Sequence, residues 1–532
     1  MSSTHWLPET AKGDNLPNAL CLGTGRFLRS VLVPTLVGAG YRPALIQTRG
    51  RSFMEFMASS DSATTTYPVD TVLPSGDIQT DSVACWGAFS LGTSEDKSYV
   101  LDNFLPTLKG ISILGIGVTE AGLASKDTQV MKDLFLVFQK FQQVIVKDKK
   151  CEDLNGKKIC VIDMDNVPNN GDKVRQYMFE LAAATEDKDM TSFLEEHIVF
   201  MNSMVDRITS HREGDKMVPK CEPMPAKALV VLDPNGDLPQ SFGQQPGVVV
   251  RKSVDELQLD IALKLKVANG THTAIAHLLA LMKLLKTDVL SSDKPGSLMM
   301  KYLDSMVENQ IVPSAGVNQE EATAVYKDWR QRLVHPHFGL SSFFITQNGP
   351  AKGGIRWGPT VKELAQQKIQ LEYSMAFAYA VLLRWLTPVP NTEVDSSSGI
   401  CTGWLDGVDV NQVTIDKNKG TEYADGLLYD LENGWYQYKC SINSNIGGSD
   451  TKLTALLQKC VTSKSTEDCK DAVKMYLLAS DGGDLSSVQE SINELTEAVS
   501  QLYLGLISGK SVGVLLEELG SKSNGIGFSD KC

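Results

Sequence analysis

The chain lacks the marks of several protein classes. Its ten cysteines run from Cys21 to Cys532 without one C-x-x-C pair, which speaks against a zinc ribbon or a dithiol redox motif and for reduced, structural thiols. Its seven histidines form no metal pattern. His272 and His277 are five apart and point to different helix faces, and a proline separates His335 from His337, so no metal site is expected. No Lys/Arg block is long enough to track a phosphate backbone, and a net charge of −13 with pI near 5.2 argues against nucleic acid as a partner. The longest apolar run inside a helical stretch, Met375 to Leu386, includes Arg384 and Trp385. It is too short for a bilayer, so a buried helix and no membrane partner are expected. Residues Met1 to Asn18 are polar, with Glu9 and Asp14, and have neither a signal-peptide core nor an Arg-rich transit face, which predicts a cytoplasmic protein.

What the chain does have is length for two domains or more, at 532 residues. Asn18-Ala-Leu-Cys-Leu22 reads as a buried strand, followed by Gly23-Thr-Gly25-Arg26-Phe27-Leu28-Arg29 and an amphipathic run through Val37. Strand, glycine turn and helix in that order make a place where backbone N–H groups and a helix start can meet a pyrophosphate. The third glycine of the usual fingerprint is Leu28 here. The second strand, Ala44 to Gln47, should end at the residue that reads an adenosine ribose. No carboxylate stands there. Arg49 and Arg51 follow instead, as possible ligands of a 2′-phosphate or as a solvated loop.

Further apolar runs end in polar residues. Ile111 to Val118 runs into Thr119, Glu120 and Gly122, and Lys158 to Asp163 into Asp165, Asn166 and Gly171. Such ends lie at the carboxyl edge of a parallel sheet, where ligands bind in open α/β folds. Glu120 is thus a gate or proton acceptor, or a neighbour of a helix cap. Short alternating stretches between Tyr67 and Gly92 predict small strands or a hairpin. Strands alternate with helices to about residue 245, which predicts a doubly wound parallel sheet over 1–247, with a seam at Gly243 to Gly247. Residues 248–532 read as a mainly α-helical domain with helices at Glu320 to Val334 and Val361 to Leu386. An irregular insertion is expected at about 390–480.

Lys264-x4-Asn269-Gly-x-His272 opens an apolar helical run. At 100° per residue Asn269 and His272 share a face, with Lys264 roughly 80° from His272 on the other side. Lysine is a strong base when neutral, asparagine a fixed donor, and histidine an orienting group or relay; the same pattern also fits the polar start of a core helix. Lys352 and Arg356, four apart in what reads as a loop, could clamp a carboxylate or several hydroxyls.

Taken in order, these segments resemble the mannitol dehydrogenase family of polyol-specific long-chain dehydrogenases, and within it the tagaturonate reductase (altronate oxidoreductase) branch. The residues that carry the likeness are Gly23-Thr-Gly25-Arg-Phe27-Leu-Arg29, Thr119-Glu120-Ala-Gly122, Asp165-Asn166-x-Pro168-x-Asn-Gly171, Asn202-Ser-Met-Val-Asp206-Arg207-Ile-Thr209, Lys264-x4-Asn269-Gly-x-His272 and Lys352-x3-Arg356-x2-Pro359. Departures are Met201 where the family usually has proline and His335 where it has asparagine.

The resemblance implies a Rossmann-like N-terminal domain and a metal-independent exchange of hydride between NAD(P) and a secondary alcohol of a sugar alcohol, ketose or sugar acid. It implies that Lys264 is the base, that Asn166 and Asn269 donate to the developing alkoxide, and that His272 holds the adjacent hydroxyl. It also places Gly23, Gly25, Arg26, Phe27, Arg49 and Glu120 at the cofactor and Asp206, Arg207, Lys352 and Arg356 at the substrate. The cofactor is NAD(H) by resemblance, with NADP(H) admitted by Arg49 and Arg51, and the assembly a monomer or weak oligomer. An ordinary lysine titrates near ~10.4, so a base at neutral pH needs roughly 4 kcal/mol from its surroundings. Two other readings fit: a dinucleotide-binding protein without turnover, and a 3-hydroxyacid dehydrogenase, which also pairs Lys with Asn on a helix.

Overall fold

Each apolar strand of the N-terminal unit divides its side chains between two cores. Leu20, Leu22, Leu114, Ile116, Ile159 and Val161 enter one buried cluster, while Ala19, Cys21, Ile113, Cys160 and Ile162 enter the other. Alternation along a strand sends neighbours to opposite faces, so a strand covered on both faces must be apolar throughout. The computed structural model describes residues 5–11, 13–59, 65–108, 110–117, 120–147, 158–165, 167–185, 188–282, 284, 286–346, 349–390, 400–401, 408–409, 428–431, 435–438 and 449–521.

Two compact units are present, Met1–Ile261 and Ala262–Cys532. The strands of the first are β1 (His5–Trp6), β2 (Ala19–Leu22), β3 (Pro43–Gln47), β4 (Thr66–Val72), β5 (Ile78–Ala84), β6 (Ala88–Ser90), β7 (Ile113–Ile116), β8 (Ile159–Asp163), β9 (Ile198–Met201), β10 (Ser203–Val205), β11 (Thr209–Arg212), β12 (Asp215–Cys221), β13 (Leu229–Leu232) and β14 (Val248–Arg251). The main sheet has the order β1-β6-β3-β2-β7-β8-β9. It is parallel from β6 to β9, with β1 antiparallel on the β6 edge. Without β1, the strands read 3-2-1-4-5-6 in chain order, and the winding reverses between β2 and β7. The doubly wound parallel sheet expected from the sequence is therefore present. The hairpin expected between Tyr67 and Gly92 is β4 and β5, which joins β12 and β11 in a second sheet.

The seam expected at Gly243 to Gly247 falls later. The segment beyond it, β14, pairs in parallel with β13 from Leu229 and Val248 to Leu232 and Arg251. That ladder holds the chain in the first unit until Ile261.

The second unit is mainly helical. Its buried helix Tyr373–Leu386 packs on Gly270–Leu281 and Gln489–Ile507. The single helix expected from Val361 to Leu386 is two, Gly358–Gln366 and Tyr373–Leu386. Lys368 breaks it with a left-handed φ of +56°, and Ile369 N–H returns to Leu364 O at 2.9 Å, a helix-ending turn that usually carries glycine. The loop expected around Lys352 and Arg356 is the helix Gly349–Arg356. Within the expected irregular insertion at 390–480, Ser449–Ser463 and Thr466–Leu478 are helices. Among the described residues, no helix is long and apolar enough to cross a membrane.

Candidate functional site

The glycine turn after β2 sits where the main sheet reverses its winding. Gly23 has φ +102°, and a Cβ there would lie 2.2 Å from Gly117 O at the end of β7. Side chains are thereby excluded, and the two strand ends approach closely enough to leave a backbone-lined cradle. The missing third glycine has a counterpart across the sheet. A Cβ on Gly117 would meet Leu28 Cδ1 at 2.4 Å, so the small residue that brings helix and strand together stands on β7 instead of on the helix. The cradle accordingly fits a pyrophosphate. Gly25 is exposed, Arg26 and Phe27 half-buried, and Arg29 is buried as a tie. Its Nε donates to Thr24 O at 2.8 Å and its Nη1 to Met217 O.

At the tip of β3, Gln47 Oε1 accepts from Phe53 N–H at 2.8 Å and Met54 N–H at 3.2 Å, capping the helix Ser52–Ser59. Arg49 is exposed, whereas Arg51 Nη2 pairs with buried Asp96 at 2.7 Å. Glu120 opens the short helix Glu120–Leu123. Asn166 lies outside the described residues. Its neighbours Asp163 and Asp165 are tied through Asn170, whose Nδ2 donates to both main-chain oxygens at 3.2 Å and to Ser203 Oγ at 3.0 Å.

Arg207 does not have the place expected of a substrate ligand. Buried, it donates to Glu222 O at 3.0 Å from Nε and 2.8 Å from Nη2, and to Ser30 O at 2.6 Å from Nη1. Two main-chain carbonyls hold its fork through three hydrogen bonds, so it is a structural tie. Asp206 beside it is half-buried, and its N–H donates to Ala228 O at 2.9 Å.

The second unit gathers five of the expected residues. Lys264–Asn269 is a π-helical segment preceding the α-helix Gly270–Leu281. The 100° geometry expected from the sequence therefore does not hold. Bonding from i to i+5 puts Lys264 and Asn269 one turn apart, and such wide turns frequently mark functional sites. Lys264, Asn269 and His272 are half-buried.

Arg356 joins them from its own helix. Its Nη1 donates to Asn269 O at 3.2 Å and to Thr273 Oγ1, and lies 3.3 Å from His272 Nε2. Its Nε and Nη2 have no hydrogen-bond partner among the described residues, and burial lowers the guanidinium to about 10. Burial first, then the charges of Arg356, Lys352 and Lys264, hold His272 well below the ordinary imidazole value, against the pull of Ala268 O. Since Nδ1 faces Ala268 O at 3.1 Å, both ring nitrogens are engaged. His272 thus meets Ala268 O on one side and Arg356 on the other.

Residues that the sequence did not single out fix this arrangement. Thr273 accepts from Arg356, Trp329 Nε1 donates to Thr271 Oγ1 at 2.8 Å, and Trp357 Nε1 to Gly270 O at 3.1 Å. The helix bearing Lys352 and Arg356 lies close on the turn at Ser480. A Cβ on Gly354 would come within 2.3 Å of Ser480 O, and Tyr476 Oη donates to Pro350 O at 2.7 Å. An adjacent glycine pair, Gly353-Gly354, was the available signal. Lys352 itself donates to Ile345 O.

A parallel sheet of this order with a glycine turn at its reversal defines a dinucleotide-binding protein. Residues 17–228 match the family model described as the mannitol dehydrogenase Rossmann domain. It is 26% identical over 238 residues to altronate oxidoreductase of Bacillus subtilis, covering 42% of this chain and 48% of that one. It is 28% identical over 178 residues to mannitol dehydrogenase 2 of Saccharomyces cerevisiae, covering 31% and 34%. The matched stretch thus spans about half the length of the first relative and about a third of the second. In fold, the chain is similar to Pseudomonas fluorescens mannitol 2-dehydrogenase, solved with NAD and D-mannitol (TM-score 0.60, 16% identity, 96% of each chain). It is also similar to D-sorbitol dehydrogenase (TM-score 0.57, 18% identity, 84% of this chain and 93% of that one).

Proposed function

We propose that the chain is a metal-independent NAD(P)-dependent oxidoreductase interconverting a secondary alcohol of a sugar alcohol or sugar acid with the corresponding ketone. The observation that carries this reading is the cluster of Lys264, Asn269, His272, Lys352 and Arg356 in one unit, in a chain whose other unit has a dinucleotide cradle at Gly23. Bound nicotinamide supplies the hydride acceptor in one direction and the donor in the other. Gly23, Gly25, Arg26 and Phe27 would hold the pyrophosphate end, with Glu120 near the opposite strand end.

Lys264, in its uncharged form, takes the proton of the carbinol oxygen during oxidation and returns it during reduction. Asn269 offers amide N–H groups to that oxygen as charge develops. His272 stays neutral and steadies Arg356, whose Nε and Nη2 remain for substrate hydroxyls or a carboxylate. Lys352 completes the substrate contacts of this unit.

Arg356 suits a planar carboxylate, and we therefore favour the altronate and tagaturonate pair within the family. Incubating the chain with NADH or NADPH and tagaturonate, fructuronate or fructose, and with the oxidised cofactors and mannitol, tests this at 340 nm. Consumption of reduced cofactor with a keto acid is the expected result. Cofactor binding without turnover on any substrate would favour the non-catalytic reading instead.

A further inference from the structure

The tip of β3 treats its two arginines differently. Arg51 is turned inward, its Nη2 2.7 Å from Asp96 Oδ1, and the Asp96 side chain is fully buried. Asp96 is fixed in turn, its N–H donating to Thr93 Oγ1 at 3.1 Å. The intervening Gly50 is anchored as well, its carbonyl accepting from Ser90 Oγ at 2.8 Å, while Leu91 N–H donates to Gln47 O at 2.8 Å. The loop is therefore held at both ends and in the middle. Arg49, between the anchors, is exposed and makes no hydrogen bond or ion pair among the described residues.

In this fold an acidic residue at the end of the second strand accepts from the ribose 2′-hydroxyl and repels a 2′-phosphate. Here the position is Gln47, whose amide oxygen already caps the helix Ser52–Ser59. The nearby carboxylate, Asp96, is buried and neutralised by Arg51. With Asp96 held by Arg51, the exposed Arg49 guanidinium suits a phosphate.

We infer that the adenosine end of the cradle selects the 2′-phosphate of NADP(H) over the free hydroxyl of NAD(H), with Arg49 as the phosphate ligand and Arg51 as the anchor of its loop. The inference rests on the dinucleotide reading given under Proposed function.

Titration of the whole chain with NADPH and NADH, followed by nicotinamide fluorescence, and with 2′,5′-ADP and 5′-AMP, followed by calorimetry, needs no substrate. NADPH and 2′,5′-ADP should bind the tighter of each pair. R49Q should weaken those two by about 10- to 100-fold, the span of one charge-assisted hydrogen bond, and leave NADH and 5′-AMP within about twofold. R51Q should lower the melting temperature as well, by unpairing Asp96. NADH binding as tightly as NADPH, or R49Q weakening both alike, overturns the inference and leaves the dinucleotide reading standing. Binding of neither dinucleotide overturns both.

Discussion

Arg356 Nη1 lies 3.3 Å from Nε2 of His272, whose Nδ1 faces Ala268 O at 3.1 Å. The pair fixes the ring: Nδ1 carries the proton and Nε2 accepts. A buried guanidinium beside a neutral imidazole also explains why burial, Arg356 and Lys352 all act against an imidazolium.

His272 should therefore stay neutral through the range in which a free histidine charges. Burial likewise pushes His277 down to about 3, against the pull of Thr273 O. For both, the folded-state value lies below the ordinary value of about 6.5, so between the two values the unfolded chain binds more protons. Their contribution to stability is intact above about pH 6.5 and declines as the pH falls below it. Side-chain NMR of the histidines from pH 8 to 5 should show no titration of these two rings, and R356M should move the His272 midpoint upward. A His272 midpoint near 6.5 in the wild type would contradict the arrangement.

Leu28 and Gly117 should behave as one packing unit. Gly117→Ala forces a Cβ onto Leu28 and should cost about 1–3 kcal/mol by overpacking. Leu28→Ala leaves a hole in the core. The double variant should be less destabilised than the sum of the two, with a coupling of at least about 0.5 kcal/mol. Urea unfolding of the four proteins measures it, and strict additivity would refute the contact.

Arg207 should matter to stability more than to substrate binding. Arg207→Met leaves Glu222 O and Ser30 O without their charged donor, at a cost of roughly 2–4 kcal/mol. The melting temperature should fall, while the KM of the remaining folded enzyme stays within about twofold. A raised KM at unchanged stability would restore the substrate role.

How far the sequence speaks follows from these residues. Strands buried on both faces, such as Ile113–Ile116 and Ile159–Asp163, announce themselves as unbroken apolar runs, and the parallel sheet was legible from them. Arg207 misled because a motif records that a guanidinium is needed without recording what it holds; a buried tie to carbonyls and a substrate clamp look alike. The break at Lys368 carried no glycine or proline, and the π-turn at Lys264–Asn269 has no period-3.6 signature to betray it. Thr273, Trp329 and Trp357 support the cluster through contacts distant in sequence. Periodicity does not register such contacts.

The most direct test is turnover of Lys264→Ala with the keto-acid or polyol substrate that the wild type accepts, measured beside cofactor binding. Loss of the proton donor and acceptor should cut turnover by about 100- to 10,000-fold, with dinucleotide affinity unchanged and the chain folded. Turnover within a few-fold of the wild type would remove Lys264 from the chemistry and contradict the account.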